Sequence, residues 1–199
     1  MIAVQLNKRD FEYDIHSLIR AFYPGMDVPV YQEGEAEPEG WEKKLVVDYQ
    51  SDQIRLELMD EKGGILEKAQ RDVDYKADRK ATKNVLKSML YEMLRDYTGQ
   101  SLPWGNLTGI RPTKIPMALL EQGWKNTEIA DYMRKTYYTS NEKTALSIMI
   151  ANRERHILKD INYEDGYSLY VGIPFCPSIC LYCSFSSSPL AVWRDKVDM

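Results

Sequence analysis

The hydrophobic period of this chain changes along its length, and the changes bound what it can fold into. Leu45, Val47 and Tyr49 alternate, Ser51-Asp52 makes a turn, and Ile54, Leu56 and Leu58 alternate again. Alternation is the mark of strands with one buried face. Lys62-Gly63-Gly64 makes a second turn, and the more polar run Ile65–Gln70 predicts a third strand at the sheet edge. From Lys76 the period becomes 3.6. Val85, Leu86, Met89, Leu90, Met93, Leu94 and Tyr97 share one helical face, and Gly99 ends the helix.

The remaining segments extend this into an α+β domain with a small antiparallel sheet plus helices. Ile2–Leu6 predicts a strand. Phe11–Phe22 predicts a helix that Pro24-Gly25 stops. Gln32–Gly40, acidic and rich in Gly and Pro, predicts an exposed loop. Three more helices are expected: Thr113–Gln122 before Gly123, Asn126–Tyr137 capped by Asn126, and Ser140–Ile161 capped by Ser140. Tyr167–Ile173 (YSLYVGI) is short, apolar and β-rich, and predicts a buried strand that Pro174 ends. Val192–Met199 begins a further helix.

Two domains are therefore expected, residues 1–162 and residues 163–199. The second opens a strand–loop–helix unit that cannot cover its own strand on both faces. The chain is expected to be an N-terminal fragment, inactive by itself, with the rest of a β/α barrel missing.

Twenty-six basic and thirty acidic residues give a net charge of -4, which argues against nucleic acid as a general partner. No apolar run approaches the roughly 18 residues of a membrane span. The N-terminus has no signal-peptide core, so a soluble, cytoplasmic protein is expected. One local feature runs against the acidic balance. Lys76, Lys80, Lys83 and Lys87 recur at helical spacing with Arg79 beside them, while Arg111 and Lys114 lie in a Gly- and Pro-containing loop. Either an anion site or a solvated helix face accounts for them. Trp104 and Trp124 read equally well as packing residues.

All three cysteines, Cys176, Cys180 and Cys183, fall within eight residues. Secreted disulfide scaffolds spread an even number of cysteines, so this cluster points to metal ligation. Iron–sulfur clusters are usually held by four thiolates. Three would leave one iron of a cubane open to a small chelating ligand. Zinc also suits CxxxC and CxxC spacings, but a closed zinc site needs a fourth ligand, and nothing in the sequence brings His16 or His156 near. A thioredoxin-type pair at Cys180 and Cys183 has no use for a third cysteine four residues earlier. Inert core thiols would not cluster so tightly.

The segment Ser168–Phe185 (SLYVGIPFCPSICLYCSF) resembles the radical S-adenosylmethionine (SAM) superfamily. Ile173-Pro174-Phe175 ahead of the first cysteine resembles its oxygen-independent coproporphyrinogen III oxidase branch. The rest of the chain, including Pro103–Lys114 (PWGNLTGIRPTK), is similar to the HemZ-type coproporphyrinogen dehydrogenases within that branch. The resemblance implies metal ligands at Cys176, Cys180 and Cys183, cofactor contacts at Tyr170 and Tyr182, and a [4Fe–4S] cluster with SAM as cofactors. Many relatives carry a histidine where this chain has Gly172, so a proton or hydrogen-bond role at that position is not carried over. Neither the glycine-rich SAM segment after the second barrel strand nor the later substrate contacts are present.

The implied activity is oxidative decarboxylation of coproporphyrinogen III to protoporphyrinogen IX in haem biosynthesis. An electron from the cluster would cleave SAM. The 5′-deoxyadenosyl radical would take a hydrogen from a propionate, and loss of carbon dioxide and one electron would leave a vinyl group. The implied partners are a tetrapyrrole substrate and a flavodoxin or ferredoxin-type electron donor. The same branch also implies an alternative, a haem-binding or haem-delivery protein. A third reading is a radical SAM enzyme on another substrate such as RNA, for which the lysine stripe is the motive.

Overall fold

In the computed structural model, the structure describes residues 1–74, 78–162 and 165–196. The chain divides into two compact units, Met1–Ile157 and Leu158–Met199.

The first unit opens with a parallel crossover. Strand β1 (Ile2–Leu6) leads through helix α1 (Glu12–Phe22) to a three-residue strand β2 (Val30–Gln32), which pairs in parallel with β1. Strand β3 (Lys43–Tyr49) pairs in parallel with the other side of β1. β4 (Gln53–Asp60) and β5 (Ile65–Asp72) complete an antiparallel meander. The strand order is β2-β1-β3-β4-β5. The α+β class stands, and the sheet is mixed rather than wholly antiparallel, because two connections cross over to place β2 and β3 on either side of β1. β5 is at the edge, where the polar run Ile65–Gln70 placed it. Val30–Gln32, of which only Gln32 falls in the expected loop, becomes a strand because β1 offers it a ladder.

The alternating residues point one way. Val4 lies beside Leu45, Leu45 beside Leu58, and Val47 beside Leu56. These five residues are at most 1% exposed and share one core with Ile15, Leu18 and Ile19 of α1. Helix α2 (Arg79–Thr98) covers the same core with Leu86, Met89, Leu90 and Leu94. Asp78 starts α2 by accepting the Lys80 and Ala81 N–H groups at 2.8 and 3.0 Å. Gly99 ends it in the left-handed region, at φ 67°.

Helices α3 (Lys114–Glu121), α4 (Asn126–Tyr137) and α5 (Asn141–Leu158) gather a second, smaller core around Leu120, Ile129, Met133, Ile148 and Ala151. Ser140 caps α5 as expected, its Oγ accepting the Lys143 N–H at 3.1 Å. Asn126 does not cap α4. The cap position is Lys125, whose N–H donates to Glu128 at 2.7 Å, so the helix starts on half of a capping box. α5 ends at Leu158 rather than Ile161.

The second unit is sparse in regular structure. β6 (Phe175–Cys176) and β7 (Ser188–Pro189) form a short parallel pair, followed by α6 (Leu190–Trp193) and a single 3₁₀ turn, Arg194–Lys196. Residues 197–199, the end of the expected terminal helix, lie outside the described residues. The buried strand expected over Tyr167–Ile173 is not formed. Tyr167, Leu169, Val171 and Ile173 are 76–94% exposed. A strand needs a ladder on at least one side, and no described strand of this chain pairs with the segment.

Candidate metal centre

The three cysteines occupy one loop of the second unit. Cys176 ends β6, where it lies opposite Pro189. Just before it, the Ser188 N–H donates to the Pro174 carbonyl at 2.7 Å, tying the start of the loop to its return. Pro174 therefore does what its chemistry allows: it ends an extended segment and offers an acceptor but no donor. Within the loop, the Cys183 N–H donates to the Cys180 carbonyl at 3.0 Å. This three-residue closure sets the two cysteines of the CxxC half in a single turn. The Cys183 thiol points along the chain, toward the Phe185 carbonyl at 3.9 Å.

All three thiols are free of disulfides. Cys180 is exposed, and Cys176 and Cys183 are half-buried. Among the described residues, no three His, Cys, Asp or Glu side chains converge as a metal site. The loop thus places the three thiols in sequence proximity and solvent reach without gathering them. Their chemistry nevertheless fits an iron–sulfur cluster: three soft donors, uncrosslinked, on one short loop, with no competing carboxylate among them. When ligands are not preformed, metal binding supplies the free energy that orders them.

Tyr170 and Tyr182 are 81% and 90% exposed. Gly172 lies under the Tyr170 ring, and a β-carbon there would meet Cε1 at 3.0 Å. A histidine at 172 would therefore displace the Tyr170 ring as it is placed here.

The basic residues of the first unit separate into committed and uncommitted groups. Arg79 lies over the Phe11 ring at 4.6 Å and donates to Asp10 at 2.6 Å. Lys87 reaches Thr108 at 3.0 Å and Asp14 at 3.6 Å. Burial holds its ammonium below the ordinary lysine range, with Asp14 opposing that shift and Lys83 adding to it. Arg111 grips both carboxylate oxygens of Glu154 at 2.8 Å, and its Nε donates to Thr113. Arg111 is therefore not available as the loop anion site that its sequence position suggested. Lys76 lies outside the described residues. Lys80 and Lys83 have no acidic partner among the described residues.

The tryptophan-containing segment Pro103–Lys114 is a joint between helices. The Asn106 N–H donates to the Tyr137 carbonyl at 3.0 Å, and Ser140 N–H donates to Pro103 at 2.9 Å. Asn106 is buried and its side chain donates to Ser88 on α2. The segment thus pins the α4–α5 connection to α2. Trp104 sits under Lys143, at 5.8 Å, and Trp124 packs edge-on to Tyr132. No helix among the described residues is long and apolar enough to cross a membrane.

Over 115 residues, 57% of this chain, the sequence is 36% identical to the oxygen-independent coproporphyrinogen-III oxidase-like protein HemZ of Bacillus subtilis. The matched stretch spans 23% of that relative's length. No family model and no solved structure matches the chain.

Proposed function

We propose, from kinship with the HemZ oxidase-like protein, that the protein carrying this sequence is a radical SAM oxidoreductase of haem biosynthesis, decarboxylating coproporphyrinogen III to protoporphyrinogen IX without oxygen. The observation that carries the proposal is the joint presence of that similarity and a loop of three free, accessible cysteines spaced CxxxCxxC.

In this reading Cys176, Cys180 and Cys183 hold a [4Fe–4S] cluster as thiolates, leaving one iron for SAM. When bound, that pair supplies one-electron reduction and the power to remove a propionate hydrogen. The chain's own part is to bind and position. The Pro174–Ser188 link anchors the entry to the loop, and the Cys183–Cys180 turn sets the separation of the last two ligands. Tyr170 precedes the loop, Tyr182 lies within it, and both are candidates for contact with the adenosyl group. The tetrapyrrole is the substrate, and a flavodoxin or ferredoxin-type protein is the electron donor.

The test is anaerobic reconstitution of the full-length protein with iron and sulfide, followed by reductant, SAM and coproporphyrinogen III. Formation of 5′-deoxyadenosine in proportion to vinyl-bearing tetrapyrrole is expected, with both lost in Cys180→Ala. 5′-Deoxyadenosine without tetrapyrrole product would leave the cysteine assignment standing and sink the decarboxylase. Tight haem binding in its place would point to haem delivery.

A further inference from the structure

The first unit carries an open groove of about 570 Å³ between the start of α1 and the start of α2, lined by Tyr13, Arg79, Lys80 and Lys83 together with Arg9, Phe11, Glu12 and Asp14. Its acids are engaged. Glu12 pairs with Arg9, Asp14 with Lys87, and Asp10 beside the groove with Arg79. Lys80 and Lys83 are left as cations that no carboxylate neutralises among the described residues.

Their position is costly for the fold. Arg79, Lys80 and Lys83 occupy the first two turns of α2, and the first turn holds no acid. The helix macrodipole is positive there, and like charges three or four residues apart repel. Arg79 is compensated by Asp10 and Phe11, and the Asp78 cap offsets part of the dipole. Acidic residues at positions 80 and 83 would nevertheless suit the helix better than the two lysines, which have no carboxylate partner among the described residues. Departures of this kind concentrate at binding sites. On the facing wall the Tyr13 ring is 69% exposed and lies over Gly109, where a β-carbon would sit 3.1 Å from Cε1. The groove therefore offers an exposed aromatic face beside uncompensated cations, within the volume range of small-ligand sites.

We infer that this groove binds a nucleotide, its base stacked on Tyr13 and its phosphate held by Lys80 and Lys83 with Arg79 alongside. Every residue that lines the groove belongs to the first unit. A free nucleotide and one unit of a single-stranded RNA share this chemistry.

Two titrations of the whole chain at low salt test it, one with adenosine 5′-monophosphate and one with a labelled oligoadenylate. Binding of either probe is expected, and whichever binds names the source. Lys80→Glu/Lys83→Glu should weaken it at least about tenfold through loss of the phosphate contacts. Tyr13→Ala should weaken it about fivefold or more through loss of stacking. The Lys80→Glu/Lys83→Glu protein should keep or raise its Tm, because the new charges suit the helix end. That separates lost binding from lost folding. Absence of binding to both probes overturns the inference. So does binding that survives either variant.

Discussion

Gly105 is pressed against the backbone carbonyl of Tyr137, at the point where the Pro103–Lys114 segment meets the end of α4. Its φ is 57°, and a β-carbon would overlap that oxygen. The next residue, Asn106, donates its N–H to the same carbonyl. The close approach and the hydrogen bond are one feature, and only glycine permits both. Gly105→Ala should cost about 1–3 kcal/mol from the left-handed backbone alone, with displacement of the α4–α5 joint in addition. Urea unfolding monitored by circular dichroism measures it, and an unchanged midpoint would contradict the packing described.

Leu90 stands at the centre of the larger core, fully buried on α2. Leu90→Ala should destabilise the first unit by about 2–5 kcal/mol, the range for truncating a large buried aliphatic side chain. Thermal and urea denaturation give the value. A loss within about 0.5 kcal/mol, the range of an ordinary surface substitution, would mean that α2 does not cover the sheet.

Tyr31 on β2 donates its hydroxyl to Gln5 at 3.2 Å. Burial, then Glu37, pushes its pKa up to about 12. The unfolded chain releases this proton near the ordinary value of 10.0. Between the two values the folded state binds more protons, so stability falls as pH rises. The contribution is complete below pH 10 and is lost on passing about pH 12. Tyr31→Phe should flatten the decline over that window in urea midpoints measured against pH. A parallel decline in both proteins would remove Tyr31 as a source.

The cysteine loop gives a prediction that does not depend on turnover. In the metal-free chain all three thiols are free, and none is fully buried, so iodoacetamide should label all three. After anaerobic loading with iron and sulfide, labelling should fall sharply and about four irons should be bound per chain. Cys176→Ala should lose both the iron and the protection. Full labelling after loading would exclude these residues as ligands.

Arg111 and Glu154 make a two-pronged contact at the surface, with side chains 60% and 31% exposed. Water screens a pair this open. A double-mutant cycle with Arg111→Ala and Glu154→Ala should return a coupling of about 1 kcal/mol or less. A much larger coupling would show that the pair locks the loop to α5.

What could be read from sequence followed from range. Ile54, Leu56 and Leu58 announce a one-sided strand, and Leu86, Met89, Leu90 and Met93 a helix, because each pattern repeats within a few residues. The stop at Gly99 and the Ser140 cap are equally local. Val30–Gln32 does not show as a strand in the sequence, since three residues carry no period and each pairs with a residue 26 positions earlier. Asn126 was credited with a cap that Lys125 and Glu128 supply through the backbone, a geometry that residue type does not reveal.

For the candidate site, the sequence by itself determined which thiols are on offer: three cysteines, their spacing and the proline ahead of them are covalent facts that no packing can change. It also determined the cost of lysines at the start of α2, since charge and helical position are both written in the chain. Only the tertiary structure decided which charges are spent. Arg111 goes to Glu154, Arg79 to Asp10 and Lys87 to Asp14, while Lys80 and Lys83 are left facing a groove with Tyr13. It also decided that Tyr167–Ile173 lies exposed, although its composition favours a buried strand. The reason is the same in both cases. Propensity and charge belong to single residues, whereas an ion pair or a sheet ladder requires two segments to meet, and that meeting is fixed by the fold.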